Sequence, residues 1–256
     1  MLAFHRASVT EKIECIEEDL SLLAHSAGFP VPDLPARDIL VLPPQNHPEK
    51  KGLSKVEGQA RLLHDLASIE LQAMELGLRR LNEFPEAPLE FLKELTEVAR
   101  GESTHLKLCL EGLSELGFKW GDWPVHCSLW AATARDDCLL DRILIVHRYL
   151  EGSGLDAGEQ ILKRLKSIQA PRVQQILQLI TEEEVGHVDF GSRWYKTICR
   201  LESLDPEKDF PERMWKIRKA VPRRIEKLSY ELRKRAGFSE GELKVCEDLR
   251  DYFLSI

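Results

Sequence analysis

Carboxylates and histidines stand where leucines belong in four segments of this chain. The segment 55–83 carries an apolar stripe at Val56, Ala60, Leu63, Ala67, Met74 and Leu81, and the tooth missing between Ala67 and Met74 is Glu70. Segment 88–115 has the stripe Leu92, Leu95, Ala99, Leu106, Cys109 and Leu113, with Glu102 filling its gap and His105 three residues on. Segment 171–200 repeats the pattern: Val173, Ile176, Ile180, Trp194 and Ile198 define a face that contains Glu184 and His187. In segment 127–151, Leu140, Leu144, His147 and Glu151 follow at helical spacing. Residues three and four apart share one side of a helix, so these polar groups face inward. A buried carboxylate is costly unless a cation neutralises it. Two Glu-x-x-His pairs, each preceded by another inward glutamate, give four carboxylates and two imidazoles. That donor set suits iron or manganese better than the thiolate-rich sites preferred by zinc and copper. Two metal ions held by a Glu from each of two helices, and by Glu-x-x-His from each of the other two, is a known use of a four-helix bundle. The expected ligands are Glu70, Glu102, His105, Glu151, Glu184 and His187, and the expected cofactor is two iron ions, with manganese as the alternative.

Four helices must position these groups: A at 55–83, B at 88–115, C at 127–151 and D at 171–200. Glu70 and Glu102 are equidistant from the Pro85–Pro88 turn, and Glu151 and Glu184 from a point just before Pro171. Two helical hairpins would therefore each bring a carboxylate pair to one level. Helix C is the least regular. Gly152-Ser153-Gly154 follows Glu151, and Asp156 reads as a fresh N-cap, so C is expected to stop at Glu151 and restart. Asp137 and Asp141 are rival carboxylates on C, their alternative role being salt bridges or a solvated face. His147 is an additional ligand, a hydrogen-bonded neighbour of one or, the simplest reading, a satisfied core histidine. Arg100 and Asp189 are placed to steady the ligating histidines. Gly101 and Gly186 interrupt helices beside ligands, which suggests close helix contact or a local bulge. Glu75 and Glu97 fall off the stripes and are expected to be exposed. The aromatic segment Trp120–His126 either covers the metal pocket or is a packed crossover loop.

The rest of the chain frames this bundle. It has 256 residues, 43% hydrophobic and 31% charged, which excludes a disordered chain and a disulfide miniprotein. An N-terminal helix at 8–25 opens with the capping box Ser8-x-x-Glu11, and Ser54-x-x-Glu57 is a second box ahead of helix A. Six prolines between Pro30 and Pro48 forbid regular helix and make an extended strap. The domains expected are 1–53 (helix and strap), 54–204 (bundle) and 205–256 (a basic helical extension broken by Pro211, Pro222 and Gly237). Six scattered cysteines form no CxxC pair and read as reduced, mostly apolar residues. No run is apolar enough to span a membrane and no signal peptide opens the chain, so a cytoplasmic protein is expected. The net charge of −7 argues against general nucleic-acid binding, although residues 212–236 hold ten Lys/Arg against three Glu. That stripe is either the wet face of amphipathic helices or a dock for nucleic acid.

The stretches Ile69–Leu76, Val98–His105, Gly121–His126, Leu150–Asp156 and Glu184–Val188 carry a resemblance. They look like the ferritin-like superfamily, and more closely a bacterial ferritin-like family catalogued as a domain of unknown function. More distantly the arrangement is similar to tRNA-modifying di-iron hydroxylases. The resemblance implies an all-α ferritin-like four-helix bundle with a dinuclear metal site, and no particular substrate. The chemistry of two ferrous ions at such a site makes an oxygen-activating oxidase or hydroxylase the leading expectation, with dioxygen, an unidentified substrate and an outside electron donor as partners and a monomer or dimer as the assembly. Ferroxidase or iron handling, di-manganese peroxide dismutation and a non-catalytic polar bundle are the competing expectations. The strap and basic tail disfavour the compact shell that iron storage needs.

Overall fold

A computed structural model describes residues 1–256 and is all-helical, its only β feature being an isolated parallel bridge between Val41 and Val125. The chain divides into two compact units, Met1–Ala131 with Ser167–Ile176, and Ala132–Lys166 with Leu177–Ile256. No helix is long and apolar enough to cross a membrane.

The first unit is built on a helical hairpin. Helix α1 (Val9–Glu14) and helix α2 (Ile16–His25) occupy the N-terminal helical stretch, offset at Cys15. Ser8 caps α1 by accepting from the Glu11 amide at 3.4 Å. The prolines then hold the chain out of regular structure, apart from one 3-10 turn at Pro44–Asn46. Helix α3 (Val56–Glu83) and helix α4 (Leu89–Glu115) follow, joined by the turn at 84–88. Ser54 does not cap α3; the cap position falls one residue later, on Lys55, and has no side-chain bond. Helix α4 is closed off by Gly117, two residues past its end, whose φ of +83° lets the Phe118 amide reach back to the Leu113 carbonyl at 3.2 Å. The stripe residues Leu63, Ala67, Met74, Leu95, Ala99, Leu106, Cys109 and Leu113 are fully buried. Each such leucine contributes about 1.5–3 kcal/mol. A side chain at Gly77 would lie 2.9 Å from Ala99 Cβ, so the two helices pack with almost nothing between them at that level.

The N-terminal arm and strap cover another face of the hairpin and correct one expectation. Glu75 is fully buried, not exposed. Lys12 donates to it at 2.5 Å and Arg37 at 2.7 and 2.6 Å, so α1 and the strap carry the neutralising cations. Glu97 is on the surface as expected. Trp130, in the short helix α5 (Ser128–Ala131), lies under the Arg79 guanidinium and donates to the Asp33 carbonyl.

The second unit centres on a continuous run of helix α6 (Leu139–Ile143), a π-helical segment (Leu144–Glu151) and helix α7 (Gly152–Leu165). Helix C therefore begins near 139, not 127, and does not stop at Glu151. The Gly-Ser-Gly stretch stays helical, and Asp156 is no cap. It is buried and accepts from Arg233 and from the Ser229 amide, which fixes helix α10 (Tyr230–Arg235). Helix α8 (Pro171–Leu201) contributes its residues from 177 onward to this unit. Helix α9 (Pro206–Ile217) carries Pro211 inside it, where the sequence predicts a break. Helix α11 (Glu240–Leu254) starts at a complete capping box, Ser239 with Glu242, beyond the two boxes named above.

Candidate metal centre

In the first unit the expected ligands converge. Glu70, Glu102 and His105 are 4%, 1% and 1% exposed. His105 Nδ1 is 3.5 Å from Glu70 Oε2 and 3.8 Å from Glu102 Oε2. The hairpin register produces this. From the contact of Gly77 with Ala99, seven residues back along α3 and seven forward along α4 bring Glu70 level with Leu106, beside His105. Cys109 lies one turn further on; burial, and then the charge of Glu70, push its thiol well up. The groups that converge here, Glu70, Glu102 and His105, offer oxygen and nitrogen donors.

The second unit repeats the arrangement on different elements. His187 Nδ1 is 3.1 Å from Glu184 Oε1, and His147 Nδ1 is 2.5 Å from Glu151 Oε2. Glu184 and His147 are buried, while Glu151 and His187 are partly so. Two close approaches fix the register of α8. A side chain at Gly191 would lie 2.3 Å from His147 Cβ, and one at Gly158 would lie 2.6 Å from Thr181 Oγ1. Four residues forward from His147 and four back from Gly191 bring Glu151 level with His187; seven steps from the Gly158–Thr181 contact give Val188. In both units, then, a glutamate on one helix lies opposite the histidine of a Glu-x-x-His on its antiparallel neighbour. The midpoints in the sequence match glutamate to glutamate instead. The difference is about one helical turn, and it is the same in both hairpins.

Glu151 is the last residue of the π-helical segment. An i→i+5 turn is rare and is found mostly as a local bulge at functional sites. Here it presents His147 and Glu151 in succession without breaking the helix. The rival carboxylates are occupied elsewhere. Asp137 pairs with Arg142 at 3.2 Å, and Asp141 accepts from Arg213 at 2.7 Å and Lys216 at 3.1 Å. His147 touches the Phe190 ring edge-on at 4.9 Å between centroids.

Several expected helpers have other duties. Arg100 pairs on the surface with Glu17 at 2.6 Å and Glu97 at 2.6 Å, and Asp189 pairs with Arg193 at 2.8 Å. Neither is bonded to a ligating histidine. Gly186 is exposed and a methyl there would meet nothing within 4 Å, so close packing does not explain it. The Trp120–His126 segment packs on α3 around His64. Trp120 stacks on that imidazole at 4.9 Å, and the Gly121 amide donates to His64 Nε2 at 3.2 Å. Burial holds the His64 pKa down at about 4, so the ring is a neutral acceptor. Much of the basic tail is paired, Arg213 with Asp209 and Asp141, Arg233 with Asp156, Lys234 with Glu240 and Arg235 with Glu182. All six cysteines are free thiols.

The structure thus defines an all-helical protein with a donor set of two glutamates and two histidines, Glu102, His105, Glu184 and His187, that could bind a metal ion. The chain belongs to the family described as proteins of unknown function (DUF455), whose model matches residues 3–244. A relative from Haemophilus influenzae, described as an uncharacterized protein, is 35% identical over 227 residues, covering 83% of this chain and 77% of its own length. No solved structure matches the chain.

Proposed function

We propose that this chain is a ferritin-like dinuclear metal protein that activates dioxygen to oxidise or hydroxylate a substrate. The observation that carries the reading is the repeat. Each unit holds a Glu-x-x-His on one helix with a further glutamate level with its histidine on the antiparallel neighbour. Two such halves supply the six ligands Glu70, Glu102, His105, Glu151, Glu184 and His187, the set expected of di-iron and di-manganese carboxylate bundles. Two ferrous ions held there would supply the electrons that dioxygen needs and the Lewis acidity to bind it. The protein's part is to fix the ligands and exclude water. Glu70, Glu102 and His105 are on long, buried helices, and the hairpin core around them is apolar. His147, bonded to Glu151, holds that carboxylate in one orientation and keeps a proton at Nδ1 available to it. Hydroxylation draws two electrons from the substrate and two from an outside donor, with one oxygen atom leaving as water, so repeated turnover requires a reductant.

Oxygen uptake tests the proposal. Full-length protein loaded anaerobically with ferrous iron is exposed to air in an oxygen electrode, beside Glu102→Ala and His187→Ala. The reading expects uptake in proportion to bound iron in the wild type and its loss in both variants. Uptake that both variants retain overturns it.

A further inference from the structure

A second site lies in the second unit, among residues that the proposed metal chemistry does not use. A small cavity opens to solvent among the π-helical segment, α7, the 222–228 segment, α10 and α11. Four arginines line it: Arg148 from the π-helical segment, Arg224 from the loop, Arg233 from α10 and Arg250 from α11. Two carboxylates also line it, Asp156 and Glu226, and Glu242 sits behind Arg148. The lining itself therefore holds four guanidinium groups against two carboxylates, while Glu242 and Asp251 pair with Arg148 and Arg250 from outside it.

The bonding of these arginines shows which donors remain. Arg233 spends Nε and Nη2 on Asp156, leaving Nη1 only a thiol, Cys246 Sγ, at 3.7 Å. Arg250 donates Nε to the Ile225 carbonyl and Nη1 to Asp251. Arg148 is wholly buried. It spends Nη1 on Ser192 and Nη2 on Glu242, while its Nε is buried with no acceptor. Arg224 Nε is likewise buried and without an acceptor. An unsatisfied buried donor costs about 1–3 kcal/mol, more when charged; the Arg148 guanidinium lies over the Phe238 ring at 3.6 Å, so the need for an acceptor at the cavity falls chiefly on Arg224. Tyr149 and Ser153 already donate to the carbonyls of Pro222 and Tyr149, so their hydroxyl protons are spent within the fold. Met214, Leu228, Leu249 and Phe253 supply an apolar side.

We infer that this cavity binds a phosphate group, either free or as the phosphoryl end of a small phosphomonoester. A planar carboxylate takes its bonds in one plane, whereas a tetrahedral oxyanion accepts from several directions. Here guanidinium donors arrive from four separate elements, the arrangement that phosphate oxygens fit. The π-helical segment is shared. His147 and Glu151 belong to the proposed metal ligands and their neighbours, and Arg148 and Tyr149 to the phosphate cavity.

Calorimetric titration of the full chain tests this, with inorganic phosphate, glycerol phosphate and sodium chloride at matched ionic strength. The informative variant is Arg224→Gln, because Arg224 Nε holds no bond within the fold; Arg235→Gln, a surface ion-pair residue, is the control. The expected result is saturable binding of phosphate or its ester, none of chloride, and affinity weakened about tenfold or more in R224Q but unchanged in R235Q. Tighter binding of glycerol phosphate identifies an ester as the source, and equal binding identifies free phosphate. The inference is overturned if chloride reproduces the heat, if neither phosphate compound binds, or if R224Q binds as the wild type does while melting at the same temperature. Retained phosphate binding in a protein that takes up no iron would leave this inference standing while removing the proposed oxygen chemistry.

Discussion

Replacing Gly191 with alanine tests the register that puts Glu151 opposite His187. The added methyl would stand 2.3 Å from His147 Cβ, 3.2 Å from Cγ and 3.6 Å from Cα. Carbon atoms rest at about 3.5–4.0 Å, so the nearest contact must open by more than about 1 Å. His147 cannot swing its own Cβ aside; α8 or the π-helical segment has to move. Overpacking of this kind costs about 1–3 kcal/mol, partly offset by up to about 1 kcal/mol from exchanging a helical glycine for alanine. At about 2–4 °C per kcal/mol for a protein of this size, the melting midpoint should fall, by up to about 12 °C. Gly186, five residues earlier on the same helix, is the internal control. A methyl there meets nothing within 4 Å, so Gly186→Ala should gain up to about 1 kcal/mol and melt higher. Circular dichroism melts of the three proteins, with metal content measured on each, make the comparison. Displacing His147 also displaces Glu151, which it holds at 2.5 Å, so G191A should bind less metal as well. If G191A melts at or above the wild type, α8 does not lie on the π-helical segment as described, and the symmetry of the two hairpins goes with it.

Three further outcomes are expected. Glu75→Gln leaves Lys12 and Arg37 buried without their counter-charge and should cost about 3–5 kcal/mol in urea unfolding, whereas Glu97→Gln on the surface should change stability by less than about 0.5 kcal/mol. His64 is held neutral down to about pH 4 when folded, while its unfolded counterpart protonates near 6.5. The unfolded chain therefore binds the extra proton between those values, stability falls as pH drops from 6.5 to 4, and His64→Phe should flatten that part of the profile. Arg100→Ala should cost less than about 1 kcal/mol and leave metal content unchanged, because its partners are the exposed Glu17 and Glu97; a loss of metal would return Arg100 to the neighbourhood of the ligands.

The inward glutamates are legible in the sequence because they sit on long, regular helices. A polar residue three past one stripe position and four short of the next must share its burial, and Glu70, Glu102 and Glu184 do. The same logic misplaces Glu75. It lies off the stripe, and what buries it is an arm 63 residues away and a strap 38 residues away, which no local period reveals. Helix C defeats the pattern for two reasons. A π-helical turn departs from the 3.6-residue period on which the stripe depends, and Gly152-Ser153-Gly154 has the composition of a loop while remaining helical. Asp156 resembles a cap because capping is the common local use of aspartate. Its actual partner, Arg233, is 77 residues away. The phosphate cavity is invisible for the same reason, since its arginines come from four separate elements.

Metal stoichiometry is the most direct test of the central claim. Full-length protein, reconstituted anaerobically with ferrous iron and desalted, is assayed by plasma mass spectrometry beside His105→Ala and His187→Ala. The account expects about two ions per chain in the wild type and substantial loss in both variants. A wild-type chain that retains no metal, or variants that retain as much as the wild type, would contradict it.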